Sequence, residues 1–286
     1  MEKREKINRH PKRKFRKLFV SIALFFLLSM IGKIHIDTNT FKLNRISLQS
    51  SKLAVGTEIS LLQITDVHSK VFGKNNEELI KQIQDLNVDM IVLTGDLIDR
   101  KTSDFQDVFH LIDKLVQINP QTYFVTGNHE WDNPRKKEFL SGLKARGVTL
   151  LSNENIELKK NGSTFHIIGI DDVSTERENM EEAFYQVNDQ VYNILLSHSP
   201  SVIQKYADLP VDLVLSGHTH GGQVRLPLIG AIVAPDEGLF PHLQKGIYNI
   251  KDNSFLYIDS GLGTTALPIR FLNQSQISLI TIRSNE

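Results

Sequence analysis

The stretch Met90-Ile91-Val92-Leu93-Thr94-Gly95-Asp96-Leu97-Ile98-Asp99-Arg100 decides how the chain reads. An apolar run with β-branched residues stops at a glycine and a carboxylate, and a second carboxylate follows three residues on. The run has the length and composition of a buried strand, and a buried strand has no use for a lone carboxylate at its end. Asp96 must therefore be solvated in a polar turn, paired, or bound to a metal. The stretch by itself leaves these open; its recurrence along the chain narrows them.

Upstream, 59–64 reads as a strand that stops at Thr65-Asp66-Val67-His68. Residues 76–86 follow as an amphipathic helix with Glu77 and Glu78 in its first turn. Downstream, a helix is predicted over about 104–118. A strand at 121–126 then ends in Gly127-Asn128-His129-Glu130, and Pro134 opens a helix to about Arg146. A second half begins near Val148, with strands expected at 155–159 and 164–170 and a helix over roughly 176–187. Two further strands end in Ser197-His198 and in Ser216-Gly217-His218-Thr219-His220. From 246 onward, short strands (246–250, 254–259, 277–283) are joined by turns.

Open α/β sheets gather functional groups at the carboxyl ends of their strands. Five predicted strands each deliver a metal-competent group there: Asp66 and His68; Asp96; Asn128 and His129; His198; His218 and His220. The i, i+2 pairs would project two side chains to one side of an extended backbone. The chain has no cysteine, so any metal must be held by His, Asp, Glu or Asn, which suits Mn, Fe, Zn or Mg. The donors are too many for one ion. They suit two, about 3.5–4 Å apart and joined by a carboxylate, an arrangement that acidifies a bridging water and clamps a phosphoryl group.

Charge is balanced over the 286 residues but unevenly spread. The first 17 carry nine Lys and Arg against two Glu, a net of +7, which leaves the remainder with 24 basic and 31 acidic groups, a net of −7. An acidic domain is a poor nucleic-acid binder, so no nucleic-acid partner is expected. The basic tail (1–17) is followed by a charge-free apolar run, Leu18 to Ile31, extending to Ile36 if Lys33 and His35 reach toward the interface. A cleaved signal peptide fits the length but lacks a small-x-small cleavage site, and a core helix does not fit the basic preface. An uncleaved transmembrane signal anchor over 18–36 fits both. It places the later residues outside the cytoplasm, on a single-pass protein of the cell membrane. Residues 37–57 read as a juxtamembrane segment with an edge strand at 41–48, and 58–286 as the catalytic domain.

Taken together, Asp66-x-His68, Gly95-Asp96-x-x-Asp99, Gly127-Asn128-His129-Glu130, His198 and Gly217-His218-Thr219-His220 resemble the calcineurin-like metallophosphoesterase family. The likeness covers about residues 58–284. The run from Gly221 to Pro227, with Gly261-Leu262-Gly263 and Pro268-Ile269-Arg270, resembles the family's bacterial membrane-associated or exported branch. The resemblance implies an α/β fold, a β-sandwich flanked by helices in four αββα layers, with the metals at one edge. It implies one divalent ion (Mn, Fe, Zn, Mg or Co) on Asp66, His68, Asp96 and His220. A second would sit on Asp96, Asn128, His198 and His218. His129 would protonate the leaving oxygen and Asp99 would orient His129. The implied activity is hydrolysis of phosphodiesters, phosphomonoesters or pyrophosphates by a metal-bridging hydroxide. Lipid-linked or nucleotide-sugar diphosphates are among the substrates to consider.

Other readings stand beside these. A non-catalytic metal-binding membrane scaffold competes with the enzyme, although no ligand is missing, and a nuclease is a third reading. His10, His35, His110, His166 and His242 read as surface or core residues. Asp171-Asp172 reads as a helix cap, and Arg100 as an ion-pair residue or a phosphate contact. The apolar run 226–235 reads as core packing or as a lip near the bilayer that accepts lipid-linked phosphates.

Overall fold

In the computed structural model, residues 11–285 apart from 207, 252 and 266 are described; the first ten residues of the basic tail lie outside them. Two six-stranded sheets face each other. Across the first sheet run β1 (Phe41–Ser50), the strand Ser275–Ser284, β2 (Glu58–Ile64), β3 (Met90–Thr94), β4 (Thr122–Val125) and β5 (Thr149–Leu150). The second holds β6 (Glu154–Lys160), β7 (Ser163–Gly169), β8 (Tyr192–Leu196), β9 (Leu213–Ser216), and then the strands Ser254–Ile258 and Gly246–Lys251. Strands β2 to β5 are parallel, as are β7 to β9 with Ser254–Ile258. Such parallel strands need both faces covered, which is why they read as unbroken apolar runs.

Alternation along those runs builds three apolar layers. Leu62, Ile91 and Leu93 point outward to Leu79 and Ile83 of α2 (Glu77–Gln84), Val108 and Leu115 of α3 (Gln106–Ile118) and Phe139 of α5 (Lys136–Ala145). Leu61, Met90 and Val92 point inward against Ile167, Ile194 and Leu215 of the second sheet. Ile168, Leu195 and Val214 face outward again, under Ala183 of α6 (Met180–Ala183) and Val202 of α7 (Val202–Lys205). The result is the four-layer αββα sandwich.

Three expectations change. Residues 41–50 form a full ladder with Ser275–Ser284, so this part of the expected juxtamembrane segment belongs to the folded domain. The helix expected over 176–187 is reduced to α6. Asp172 caps a 3₁₀ turn (Val173–Thr175) by accepting from the Thr175 N–H at 3.0 Å, and Glu176 at φ +56° ends it. Asn179 then caps α6. A short helix not expected, α4 (Asn128–Asp132), starts within the third motif.

The apolar N-terminal run lies in α1 (Pro11–Asn39), of which Lys14–Asn39 is long and apolar enough to cross a membrane. From Lys14 to Gly32 its side chains are exposed; Lys33 and Ile34 are half-buried, and Asp37 and Thr38 are buried against the domain.

Phe139 is fully buried among Phe105, Phe109 and Phe124, with ring centroids 5.2–6.5 Å away. Phe139→Ala should cost about 3–5 kcal/mol, read as a lower denaturant midpoint for the full chain in detergent.

Candidate metal centre

Each motif sits where a parallel strand ends. Asp66 and His68 follow β2, Asp96 follows β3, Asn128 and His129 follow β4, His198 follows β8, and His218 and His220 follow β9. The two sheets bring these ends to one edge of the sandwich, and all seven candidate ligands are buried or nearly so. Three overlapping groups have their donor atoms within 4.8 Å of one another: Asp66, His68 and His220; His68, Asp96 and His129; Asp96, His198 and His218.

The backbone does not deliver them from extended segments, as the i, i+2 spacing predicts. Asp66, His68, Asp96, His218 and His220 all have positive φ, between 46° and 68°. Such left-handed turns are unusual for residues with a Cβ and concentrate at functional sites. Hydrogen bonds hold them: Asp66 N–H donates to Gly95 O (3.1 Å), His68 N–H to Asp96 O (3.0 Å), and His218 N–H to the Asp66 carboxylate (3.1 Å). Gly95 (φ +84°) also leaves room for a neighbour, since a Cβ there would lie 2.6 Å from His198 Nδ1. A Cβ at Gly127 would collide with the Asp96 carboxylate.

Asp96 is the meeting point. Its Oδ2 lies 3.6 Å from His68 Nε2 and 3.2 Å from His198 Nε2, so it touches both halves of the cluster. His220 Nε2 sits 3.2 Å from His68 Nε2 and 3.3 Å from Asp66 Oδ1, and His218 Nδ1 sits 3.2 Å from His198 Nε2. Burial pushes the Asp66 carboxyl up to about 6 and the His68 imidazole down to about 4; burial and His68 hold His220 well below the usual range. Burial also opposes charge on Asp96, yet His198, His68 and His129 together keep it well below the usual carboxylate range. Asp96 in turn raises His198 well above the ordinary histidine value against its burial. Neutral His68 and His220 have lone pairs to give, and the Asp96 region favours positive charge.

The donor set fits divalent metal. Asn128 Oδ1 is buried without a hydrogen-bond partner, and Asn128 lines the same cavity as Asp96, His218 and His220. An unpartnered buried oxygen beside this cluster suits a cation. Two of the four histidines are also oriented from behind, as metal-binding imidazoles are, whereas the Nδ1 atoms of His68 and His220 are buried without a partner. His198 Nδ1 donates to Thr94 O (2.8 Å), and His218 Nε2 lies 2.7 Å from Asp236 Oδ2.

His129 stands beside the cluster, its Nε2 3.9 Å from Asp96 Oδ2. Arginine can only donate, so the 2.8 Å contact of the Arg100 guanidinium with His129 Nε2 fixes a lone pair there. The Nδ1–H then donates to Asp99 Oδ1 at 3.1 Å. Arg100 also pairs with Asp132 at 2.7 Å. Asp171 lies apart from the cluster, bonded to Thr126, Ser152 and Asn153.

Two carboxylates had no assigned role in the sequence. Glu130 accepts N–H donors from Asp96, Leu97, Ile98 and Gly127 at 2.7–3.3 Å, stitching the β3 turn to the β4 turn. It was visible only as the last letter of a motif. Asp236 lies sixteen residues past the last motif, just after the apolar run 226–235, and carries no signal of its own.

The cluster opens into a cavity of about 690 Å³ lined also by Asp99, Arg100 and Lys101. A larger hollow of about 980 Å³, near Lys52 and Asp212, lies at the opposite ends of the strands and holds none of these groups.

Residues 59–222 match the family described as calcineurin-like phosphoesterase. The chain belongs to this family. The Bacillus subtilis metallophosphoesterase YkoQ is 31% identical over 91% of this chain and 97% of its own length. A metallophosphoesterase of Aquifex aeolicus is 28% identical over 90% and 98%. A zebrafish transmembrane protein with a metallophosphoesterase domain is 24% identical over 94% and 63%. Among solved structures, the Haemophilus influenzae NAD nucleotidase aligns over 72% of this chain and 46% of its own, at 20% identity and a TM-score of 0.49. Family membership and the Asp/His clusters make the protein a metal-dependent phosphoesterase.

Replacing Asp236 with alanine should free the His218 ring and weaken divalent-metal affinity about 10- to 100-fold, read by chelator competition. Unchanged affinity would remove Asp236 from the centre.

Proposed function

We propose that the chain is a membrane-anchored two-metal hydrolase of phosphate esters or diphosphates. Asp66, His68, Asp96 and His220 would hold one divalent ion, and Asp96, Asn128, His198 and His218 the other. The observation that carries this reading is the position of Asp96, within 3.6 Å of a histidine from each half of the cluster. Ions held there supply positive charge for the phosphoryl oxygens and a more acidic water. Mn, Fe, Zn, Mg and Co all suit a donor set of imidazole, carboxylate and carboxamide groups.

His129 acts as general acid toward the leaving oxygen. For that its Nε2 must carry the proton, so the leaving oxygen takes the place now held by Arg100, and the Asp99 carboxylate supports the resulting imidazolium from Nδ1. Arg100, released from His129, stays at the cavity mouth as a cation for substrate phosphate. Burial lowers His129 from its ordinary value, which makes it a readier donor once charged.

For substrate class, the reading favours lipid-linked phosphates or diphosphates. A second cavity of about 520 Å³, walled mainly by Val224, Ile232, Val233, Ala234, Pro235 and Leu267, shares His220, Pro235 and Thr265 with the metal cavity. An apolar tail seated there would leave its phosphate at the cluster. The basic preface to α1 supports a cytoplasmic N-terminus and a domain outside the cytoplasm.

Asp96→Asn should lose metal and activity together. His129→Ala should keep its metal and slow poor leaving groups about 10²- to 10⁴-fold, with much smaller losses for aryl phosphates. Steady-state rates on a leaving-group series, beside metal analysis of each variant, check this. Equal losses across the series would reject the general-acid role. No metal-dependent hydrolysis of any ester in a panel with soluble and lipid-linked members would reject the reading as a whole.

A further inference from the structure

We propose that the surface formed by residues 226–240 and Leu267 is a second membrane contact, seated on an anionic lipid bilayer beside the root of α1. The proposal rests on the reading of α1 as a membrane span. It concerns a different part of the chain, and it makes the bilayer, rather than a protein, the partner.

The segment after the last candidate ligand is made of two short hairpins, Arg225–Leu226 with Gly230–Ala231 and Val233–Ala234 with Gly238–Leu239. Leu228, Ile229, Val233, Leu239, Phe240 and Leu267 are all exposed, Leu228 completely. Outside α1, most of the large exposed apolar side chains of the described residues fall here. A clustered patch of this kind on a soluble surface marks an interaction site.

The root of α1 lies next to it. The Arg270 N–H donates to Thr38 Oγ1 at 2.8 Å and the Asn273 N–H to Asp37 Oδ2 at 3.2 Å, fastening segment 270–273 to the last turn of the helix. On its other side the same segment pairs with the hairpin base, through Arg225 N–H to Phe271 O (3.0 Å) and Phe271 N–H to Gln223 O (3.1 Å). Helix root and hairpin base are thus separated by one extended segment, roughly 10 Å across at ordinary strand spacing. Lys33, where the apolar stretch of α1 ends, is about 6 Å along the helix from buried Asp37. There is no free linker between span and domain, so this face is held at headgroup level.

Charge agrees. The segment 226–240 itself carries Asp236 and Glu237 and no basic residue, but at the root Lys70 and Lys245 stand beside the last turn of α1 and the segment fastened to it, with Arg225 and Lys42 close to Lys245. Lys70 Nζ donates to Asn39 Oδ1 at 3.3 Å and Lys245 Nζ to Asn273 Oδ1 at 2.7 Å. Burial, with Arg225 and Lys42 close by, pushes Lys245 down to about 8. Anionic headgroups would complement the positive charge of these side chains at the root.

The chain has no cysteine, so single cysteines can be introduced and labelled in the full-length protein. Leu24→Cys, Leu228→Cys, Phe240→Cys and Tyr185→Cys, carrying an environment-sensitive fluorophore, are reconstituted into phosphatidylcholine vesicles with and without phosphatidylglycerol. Lipids with nitroxide quenchers at headgroup and acyl depth are then added. Tyr185, exposed beside the far edge strand β6, is the aqueous control, and Ile229→Cys replaces any label that alters the circular dichroism. The expected result is deep quenching at Leu24, headgroup-level quenching at Leu228 and Phe240 several times that at Tyr185, and a decrease at those two sites without phosphatidylglycerol. Quenching at Leu24 with none at Leu228 and Phe240 would overturn the proposal and leave the span intact. Quenching at Leu228 and Phe240 without Leu24 would keep the contact and discard the span.

Discussion

A buried carboxylate has to be answered by positive charge, and the Asp96 carboxylate is the group on which the rest of this structure depends. It is 2% exposed. An unpaired ion in that position would cost several kcal/mol. Two imidazoles from opposite sheets face it, and the chain fixes it from several directions. Glu130 gathers the N–H groups of Asp96, Leu97 and Ile98 on one carboxylate, the Gly127 backbone passes where no side chain fits, and Thr94 turns His198 toward it. The two sheets are therefore joined by a polar contact at their strand ends as well as by the apolar layer between them.

The arrangement carries a cost in backbone conformation. Five of the seven clustered residues are left-handed at φ, each worth on the order of 1–3 kcal/mol. The three apolar layers offset that. Such strain is tolerated where the surrounding core over-determines the loop, and β2, β3, β8 and β9 are buried up to the residue before each turn. The same turns would relax if the core beneath them were loosened, so stability and metal affinity are linked through these strand ends.

Much of this is legible in the sequence. Period-2 and period-3.6 patterning located the strands and the helices α2, α3 and α5, because apolar burial dictates both the fold and the pattern. The strand-end residues Asp66, His68, Asp96, Asn128, His129, His198, His218 and His220 stand out because carboxylates, imidazoles and a carboxamide are out of place after an apolar run. What was illegible has physical reasons too. Asp236 reaches His218 through a loop whose path no local pattern encodes. Glu176 breaks a plausible helix by adopting a conformation that its residue type does not advertise. Residues 41–50 looked like a linker strand because their ladder partner lies more than 200 positions away. Arg100 was ambiguous until its contact with His129 was visible.

One continuous piece of chain, residues 260–273, touches both the metal cluster and the root of α1, and Thr265 and Leu267 on it line the apolar cavity. Gly263 N–H donates to Asp66 O, Arg270 donates to Gly263 O and Ser260 O, and Arg270 N–H reaches Thr38. The root of α1 and the metal cluster are thus parts of one body. The central claim, that Asp96 joins two ions, is tested most directly by titrating the metal-free full-length chain with Mn(II) and following electron paramagnetic resonance. The account predicts two ions per chain with an exchange-coupled signal. A single ion, or two ions with uncoupled signals, would contradict it.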